Sequence, residues 1–479
     1  MGDFDIGAVT RRGFLASGVG ATFAAGAPAR AEGRSLQSLT LTAAASRAML
    51  RGPGEPDTGL WTYDGVEPGP LIRLRQGRPA RIEVNNGLPE ETTVHWHGVR
   101  VPNAMDGVPG LTQPPIPPGG RFTYEFTPPD AGTFWYHSHD DGLVQIGRGL
   151  VGPLIVEEAT AVAVDRDLPW MFGDWRLRAD GELAAGFGNM MEDAMAGHVG
   201  GLVTLNGRAE AVQPVRAGER VRIRLINGAL ARMMALRFEG HRPLVVAFDG
   251  QPCEPFEPAD GRLTLGPAMR IDVVLDMTGT TGRRYRVVDD FYDGLAYVAA
   301  TLAYSPEVAT SPARPREPVV LPPNPLPAPD LASAERRDIV IQGGMMGGGG
   351  MMGLGGMGGK ATPGLGGGAV WAINGMSMTG DGAAGMAPLM TFKRGRSVVL
   401  TLKNRTAWWH PMHLHGHSFR VLTRNGVAVP HRQWQDTVLL APRDAVECAF
   451  VADNPGDWML HCHVMNHQVS GLMTVLRVA

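Results

Sequence analysis

The stretch HCHVMNHQVSGLM, His461 to Met473, lies near the C-terminus of a 479-residue chain with only three cysteines. It sets Cys462 between two histidines, with His467 four residues beyond the second. On a strand, successive side chains point to opposite faces. His461 and His463 are therefore expected to point one way and Cys462 the other. A thiolate joined by imidazoles from elsewhere makes a His2Cys blue copper donor set, and two imidazoles on the opposite face can serve a second metal site. The competing reading is a buried strand whose cysteine fills space, since free cysteine is among the most buried residue types. The remaining histidines decide between the two.

Of 14 histidines, ten fall in four short stretches: His95-Trp96-His97-Gly98, His137-Ser138-His139, His410-Pro411-Met412-His413-Leu414-His415-Gly416, and the opening stretch. Each contains an i, i+2 pair, which on a strand aims both imidazoles at one face. Outside the pairs stand His410, Cys462 and His467. Eight paired imidazoles suit a three-metal cluster, and the thiolate with two further imidazoles suits a separate blue copper site.

These four stretches resemble, in order and in spacing, the copper-binding motifs of the multicopper oxidases, the family of laccases and cuprous oxidases. The family-like text is strongest over residues 60–155 and 395–479. The resemblance implies roles residue by residue. Cys462, His410 and His467 would hold a type 1 copper that accepts electrons from substrate. His95 and His413 would hold a type 2 copper, and His97, His137, His139, His415, His461 and His463 a binuclear type 3 pair. Four coppers suit the four-electron reduction of O2 to water, and one peptide link separates Cys462 from His461 and from His463, which makes the stretch a relay.

Two departures from the family pattern matter. The axial position of the type 1 copper falls on Leu472, which cannot coordinate, and implies a high-potential site; a one-residue bulge would bring in Met473 instead. Many bacterial relatives carry a carboxylate just after the last histidine ligand, where this chain has Gln468, with Asn466 before it. The remaining acid for proton work is Asp106 in Met105-Asp106-Gly107-Val108-Pro109; the other reading of this pair is an Asp-Gly turn. General acid work would require a suitably tuned pKa.

The formal net charge of −3 leaves no basic run suited to nucleic acid,. No apolar stretch reaches the roughly 18 residues of a membrane span, and the chain is read as a monomer. At the N-terminus, Thr10-Arg11-Arg12-Gly13-Phe14-Leu15-Ala16 resembles a twin-arginine signal, followed by Ala29-Arg30-Ala31, an A-x-A cleavage pattern. The twin-arginine export machinery is then a partner, the mature chain begins near Glu32, and the destination is the periplasm or the cell exterior. A chance Arg-Arg pair in a tail is the alternative. Cys253 and Cys448 could pair in an oxidising compartment, but two buried free thiols is the preferred reading.

Short runs such as Arg81–Val84, Arg121–Phe126, Val221–Ile226 and Ser397–Leu402, punctuated by Gly, Pro and Asn, predict an all-β chain of sandwiches or barrels. The text around Gly65 and Asn85-Asn86 is echoed at Asn206-Gly207 and Asn227, and again at Asn374-Gly375 and Asn404. The family resemblance implies three consecutive cupredoxin-like Greek-key domains. The expected organisation is a signal peptide (1–31), a first domain (32–157), a middle domain without copper ligands acting as spacer (158–311), a stiff Pro-rich linker (312–332) and a third domain (333–479). The trinuclear cluster should lie between the first and third.

The Gly/Met-rich segment 343–360 reads either as a low-complexity linker or as a thioether device for Cu(I), joined by Met376, Met378, Met386 and Met390 and by Met190, Met191 and Met195. The expected reductants are therefore phenols, aromatic amines and, as a further substrate, Cu(I), with O2 as acceptor; a dedicated cuprous oxidase for copper tolerance is the alternative. Electron entry is expected at the edge of His467 or His410, with Asp436 as a candidate acidic contact and an ordinary loop carboxylate as its other reading. A non-catalytic copper-binding or structural cupredoxin protein is the remote alternative, disfavoured because all eleven ligand positions are filled.

Overall fold

The computed structural model describes residues 36–308, 317, 319–345, 369–380 and 385–479. The export signal and residues 346–360 of the methionine segment lie outside the described residues.

Strands dominate, and their sheets fall into three groups along the chain. In the first, Thr58–Tyr63, Gln37–Ala48, Ala80–Asn86 and Arg121–Phe126 form one sheet, and Ile72–Arg75, Val151–Glu157, Gly132–His137 and His95–His97 the other. A six-stranded and a five-stranded sheet share the strands between Arg166 and Val308, and the strands from Glu335 to Val478 build the third group. This is the all-β, three-cupredoxin architecture.

The internal repeat has a physical basis. In each group the first long strand pairs in parallel with one that ends in asparagine, at Ala43↔Asn86, Phe172↔Asn227 and Ile341↔Asn404. Each asparagine Nδ2 donates to two backbone carbonyls: Glu90 and Ile116, Arg232 and Leu265, Trp408 and Ala441. Each Oδ1 accepts the N–H two residues on, from Leu88, Ala229 or Thr406. The side chain thus satisfies buried backbone groups where the strand turns out of the sheet. The companion turns Asp64-Gly65, Asn206-Gly207 and Asn374-Gly375 all have positive φ at both residues, the geometry that demands Asn, Asp and Gly in tight hairpins.

Apolar alternation places one core inside the first group, built on Leu74, Ile82, Trp96, Tyr124 and Phe134. A larger one runs through the second and third, from Trp170 and Ile223 to Leu400, Trp458 and Cys462. The Pro-rich connector does more than space domains. Val319 and Leu321 are buried against Val246, Ala247 and Val274, and Asn324 bonds Ala131, Gln251 and Gln76. Apolar and amide side chains between its prolines turn the connector into a strap.

Candidate metal centre

The strand His410–Leu414 lies between Gly456–Cys462 and Thr437–Leu440, with Met412 opposite Cys462 and His413 opposite both His461 and Thr437. Pleating therefore separates two donor clusters by one residue step. On one side the Cys462 sulfur lies 3.5 Å from His410 Nδ1 and 3.7 Å from His467 Nδ1, and those two nitrogens are 3.2 Å apart. Their outer nitrogens are anchored, His410 Nε2 to the Thr406 hydroxyl at 2.8 Å and His467 Nε2 to the Met195 carbonyl at 2.7 Å. Such anchoring fixes tautomer and ring orientation. Trp371 packs on both rings, with centroids 5.0 and 4.4 Å away.

On the other side, His95 and His97 from the first group meet His137 through the pairing His95↔His137, and meet His413, His415 and His461 from the third. The His95 and His415 rings stack at 4.0 Å, and those of His97 and His413 at 3.7 Å. His139 lies 5.6 Å from His461, and His463 lies 5.0 Å from His97 and 5.2 Å from His137. Three-donor groupings form from His95, His413 and His415, from His95, His97 and His137, and from His139, His415 and His461.

Hydrogen bonding sets the tautomers. The Nδ1 atoms of His95, His137, His413 and His461 face the carbonyls of Asp106, Ser138, Asp436 and Cys462, and His415 Nδ1 donates to Asp106 Oδ2 at 2.8 Å. This leaves buried ring nitrogens without hydrogen-bond partners: the acceptor Nε2 of His95, His137 and His413, the acceptor Nδ1 of His97, and both nitrogens, one donor and one acceptor, of His139 and His463,. Orphaned buried nitrogens of this number are costly unless a cation uses them. Burial, aided by neighbouring rings, pushes His97, His137, His415, His461 and His463 well below the usual histidine range. Neutral imidazole is the metal-binding form. Burial also pushes the Cys462 thiol up, so metal binding there must release a proton. Soft thiolate with imidazole suits copper, and the donor set fits.

All eleven histidine and cysteine positions named from sequence are buried in these two clusters. Leu472 belongs to the apolar cluster that contains Cys462, whereas Met473 is buried in another, with Val108, Met459 and Val475. Asp106 is fully buried and joins His95 to His415; burial opposes its charge, but the two imidazoles outweigh it and hold the carboxyl well below its usual range.

Two expectations need correction. Asp436 is no substrate contact: it is fully buried, 3.3 Å from both His97 Nε2 and His413 Nδ1, and paired to Arg270. Burial opposes its charge too, but the Arg270 guanidinium and His413 overcome it and hold the carboxyl low. The middle group is also more than a spacer, because Arg270 and Asp249 both belong to it. Sequence reading also missed Thr406 and Trp371. An Asn-x-Thr two residues before Trp408-Trp409-His410 was the available sign for Thr406; nothing local marked Trp371. Cys253 and Cys448 are both buried and free.

Three family models, each described as multicopper oxidase, match residues 46–161, 166–306 and 368–479. A solved multi-copper oxidase from Pseudomonas thermotolerans is 33% identical and superposes with a TM-score of 0.81 over 93% of this chain and 100% of its own. Multicopper oxidase MmcO of Mycobacterium tuberculosis is 29% identical over 99% of this chain and 97% of its own. Laccase-1 of Botryotinia fuckeliana is 28% identical over 86% and 77%.

Proposed function

The chain belongs to the multicopper oxidases, which hold four copper ions and pass electrons from a reducing substrate to O2, and from that premise we propose that it is a laccase-like oxidase of phenols and aromatic amines that also accepts Cu(I). Cys462, His410 and His467 would hold the type 1 copper. His95 and His413 would hold the type 2 ion, and His97, His137, His139, His415, His461 and His463 the type 3 pair. When bound, copper supplies one-electron redox steps, so that four substrate electrons and four protons convert one O2 to two waters.

The remaining chemistry belongs to the chain. Cys462 and its neighbours His461 and His463 join the two clusters through single peptide links, giving electrons a covalent path. Asp106 orients His95 and His415 and, held as a carboxylate by them, is placed to accept protons and pass them on. Gln468 stands beside His467 where it cannot titrate.

The observation that carries the substrate class is that Leu472, whose carbonyl accepts the Cys462 N–H at 3.0 Å, shares the apolar cluster of Cys462, while Met473 lies opposite His461 and packs with Val108, Met459 and Val475. With no thioether offered from position 472, a copper held by Cys462, His410 and His467 would favour Cu(I) over Cu(II), and its potential would rise toward what phenol oxidation needs. The Cu(I) reading rests on methionines in segments whose backbones reach His467 and Trp408. Met190 and Met191 are exposed on the short helix Met190–Ala194, which leads into Met195, whose carbonyl holds His467. Met345 bonds Ala194 and Trp408 through its backbone. Export through the N-terminal twin-arginine segment would place the enzyme in the periplasm or outside the cell.

Oxygen uptake by the copper-loaded enzyme with 2,6-dimethoxyphenol and with Cu(I), before and after deletion of residues 346–360, tests both readings. Phenol oxidation that survives while Cu(I) oxidation collapses supports the assignment and gives the segment its role. Uptake with neither substrate overturns it.

A further inference from the structure

The middle domain supplies no histidine to either cluster, yet two of its buried charges converge on the eight-histidine cluster. Arg270, fully buried, makes a fork with Asp436: Nη1 to Oδ1 at 2.8 Å and Nη2 to Oδ2 at 2.5 Å. Its Nε donates to the Thr133 carbonyl of the first domain at 3.1 Å, and Nη1 also donates to the Ala268 carbonyl. Asp249 accepts the Arg270 N–H with one carboxylate oxygen and the N–H groups of Asp436 and Thr437 with the other, at 2.8, 3.2 and 3.0 Å. Side chain and backbone at Asp436 are thus held from the same direction.

Asp436 and Thr437 in turn hold two imidazoles. The Asp436 carbonyl accepts from His413 Nδ1, and the Thr437 hydroxyl lies 3.1 Å from His413 Nδ1 and from His97 Nε2 while donating to Asp436 Oδ1 at 2.8 Å. Gly98, next to His97, has φ +84°, and a methyl group there would overlap both the Arg270 guanidinium and the Asp436 carboxylate. The space beside His97 is reserved for this ion pair.

We propose that Arg270, with Asp249, is a positioning residue through which the middle domain sets the geometry of His97 and His413, acting by way of Asp436 and Thr437. The proposal rests on the copper ligand assignment above. A planar two-pronged guanidinium is suited to this, because it fixes a carboxylate in orientation as well as position. Partners that orient metal-binding imidazoles are typically worth about 10- to 100-fold in metal affinity or activity.

The test compares wild type, R270Q, R270K and R222Q after copper loading. Arg222 is an equally buried arginine of the same domain, paired with Asp272 and Glu158 and touching no histidine. Copper per chain, the type 1 visible band and the type 2 electron paramagnetic resonance signal are read together. The expected result is an intact type 1 band in R270Q with a lost or shifted type 2 signal and about 10-fold weaker retention of trinuclear copper. R270K should be intermediate and R222Q like wild type. If R270Q fails to fold, R270K decides, since it keeps the charge and loses only the fork. Unchanged type 2 spectra in both Arg270 variants, or equal losses in R222Q, would overturn the proposal. A wild-type protein without a type 2 signal would instead overturn the ligand assignment, and this inference with it.

Discussion

The Nε2 atoms of His415 and His461 face each other at 3.0 Å while each ring's Nδ1 is already committed, one to Asp106 and the other to the Cys462 carbonyl. Two lone pairs at hydrogen-bond distance, with no proton between them, repel unless a cation is shared. Copper binding should therefore stabilise the fold. Calorimetry of metal-free and copper-loaded protein should show a higher transition for the loaded form, by roughly 1.4 kcal/mol for each decade of copper above its dissociation constant. Identical transitions would mean that the cluster is not poised for metal.

Leu472→Met should lower the type 1 potential, because a thioether returned to the axial side favours Cu(II). Redox titration of the visible band measures this directly, and phenol oxidation should slow in parallel. An unchanged potential would show that position 472 does not face the copper.

Thr406→Val removes the group that holds His410 Nε2. A buried nitrogen left without its partner costs roughly 1–3 kcal/mol, and the ring is freed to rotate. The expected result is a broadened or weakened type 1 band with the type 2 signal intact, the mirror image of the Arg270 variants.

Asn227→Ala should destabilise the middle domain by roughly 1–3 kcal/mol, since the carbonyls of Arg232 and Leu265 lose their donor. Asn86→Ala and Asn404→Ala should do the same in their own domains. Calorimetric transitions of the three variants, compared with wild type, check whether the repeated asparagine carries equal weight in each copy.

Glu67 provides a pH test away from the copper clusters. Its Oε2 is buried without a hydrogen-bond partner, and burial pushes its carboxyl up to about 8. Between the unfolded value and this one the folded state binds a proton that the unfolded state lacks, so stability falls as pH rises through that window. Denaturation midpoints of wild type should decline from about pH 5 to about pH 8 more steeply than those of Glu67→Gln. Parallel curves would contradict the shift.

Much of the site was legible because its chemistry is local in sequence. An i, i+2 histidine pair on a strand carries its geometry with it, and Cys462 between two such histidines announces two faces at once. The Asp-Gly and Asn-Gly turns and the strand-ending asparagines exposed the threefold repeat for the same reason. Asp436 could be singled out but not understood, since the group that explains it, Arg270, is 166 residues away. The middle domain looked like a spacer because its contribution is a salt bridge rather than a ligand motif. The Pro-rich connector reads as a linker from its prolines, whereas Val319, Leu321 and Asn324 tie it down.

In the proposed function electrons enter at Cys462 and leave at the eight-histidine cluster. Copper per chain and oxygen uptake, measured together on wild type and C462S with 2,6-dimethoxyphenol as reductant, test it most directly. Wild type should hold four coppers, C462S one fewer with the type 2 signal retained, and the substitution should abolish oxygen uptake. Uptake that persists in C462S, or a full copper complement there, would contradict it.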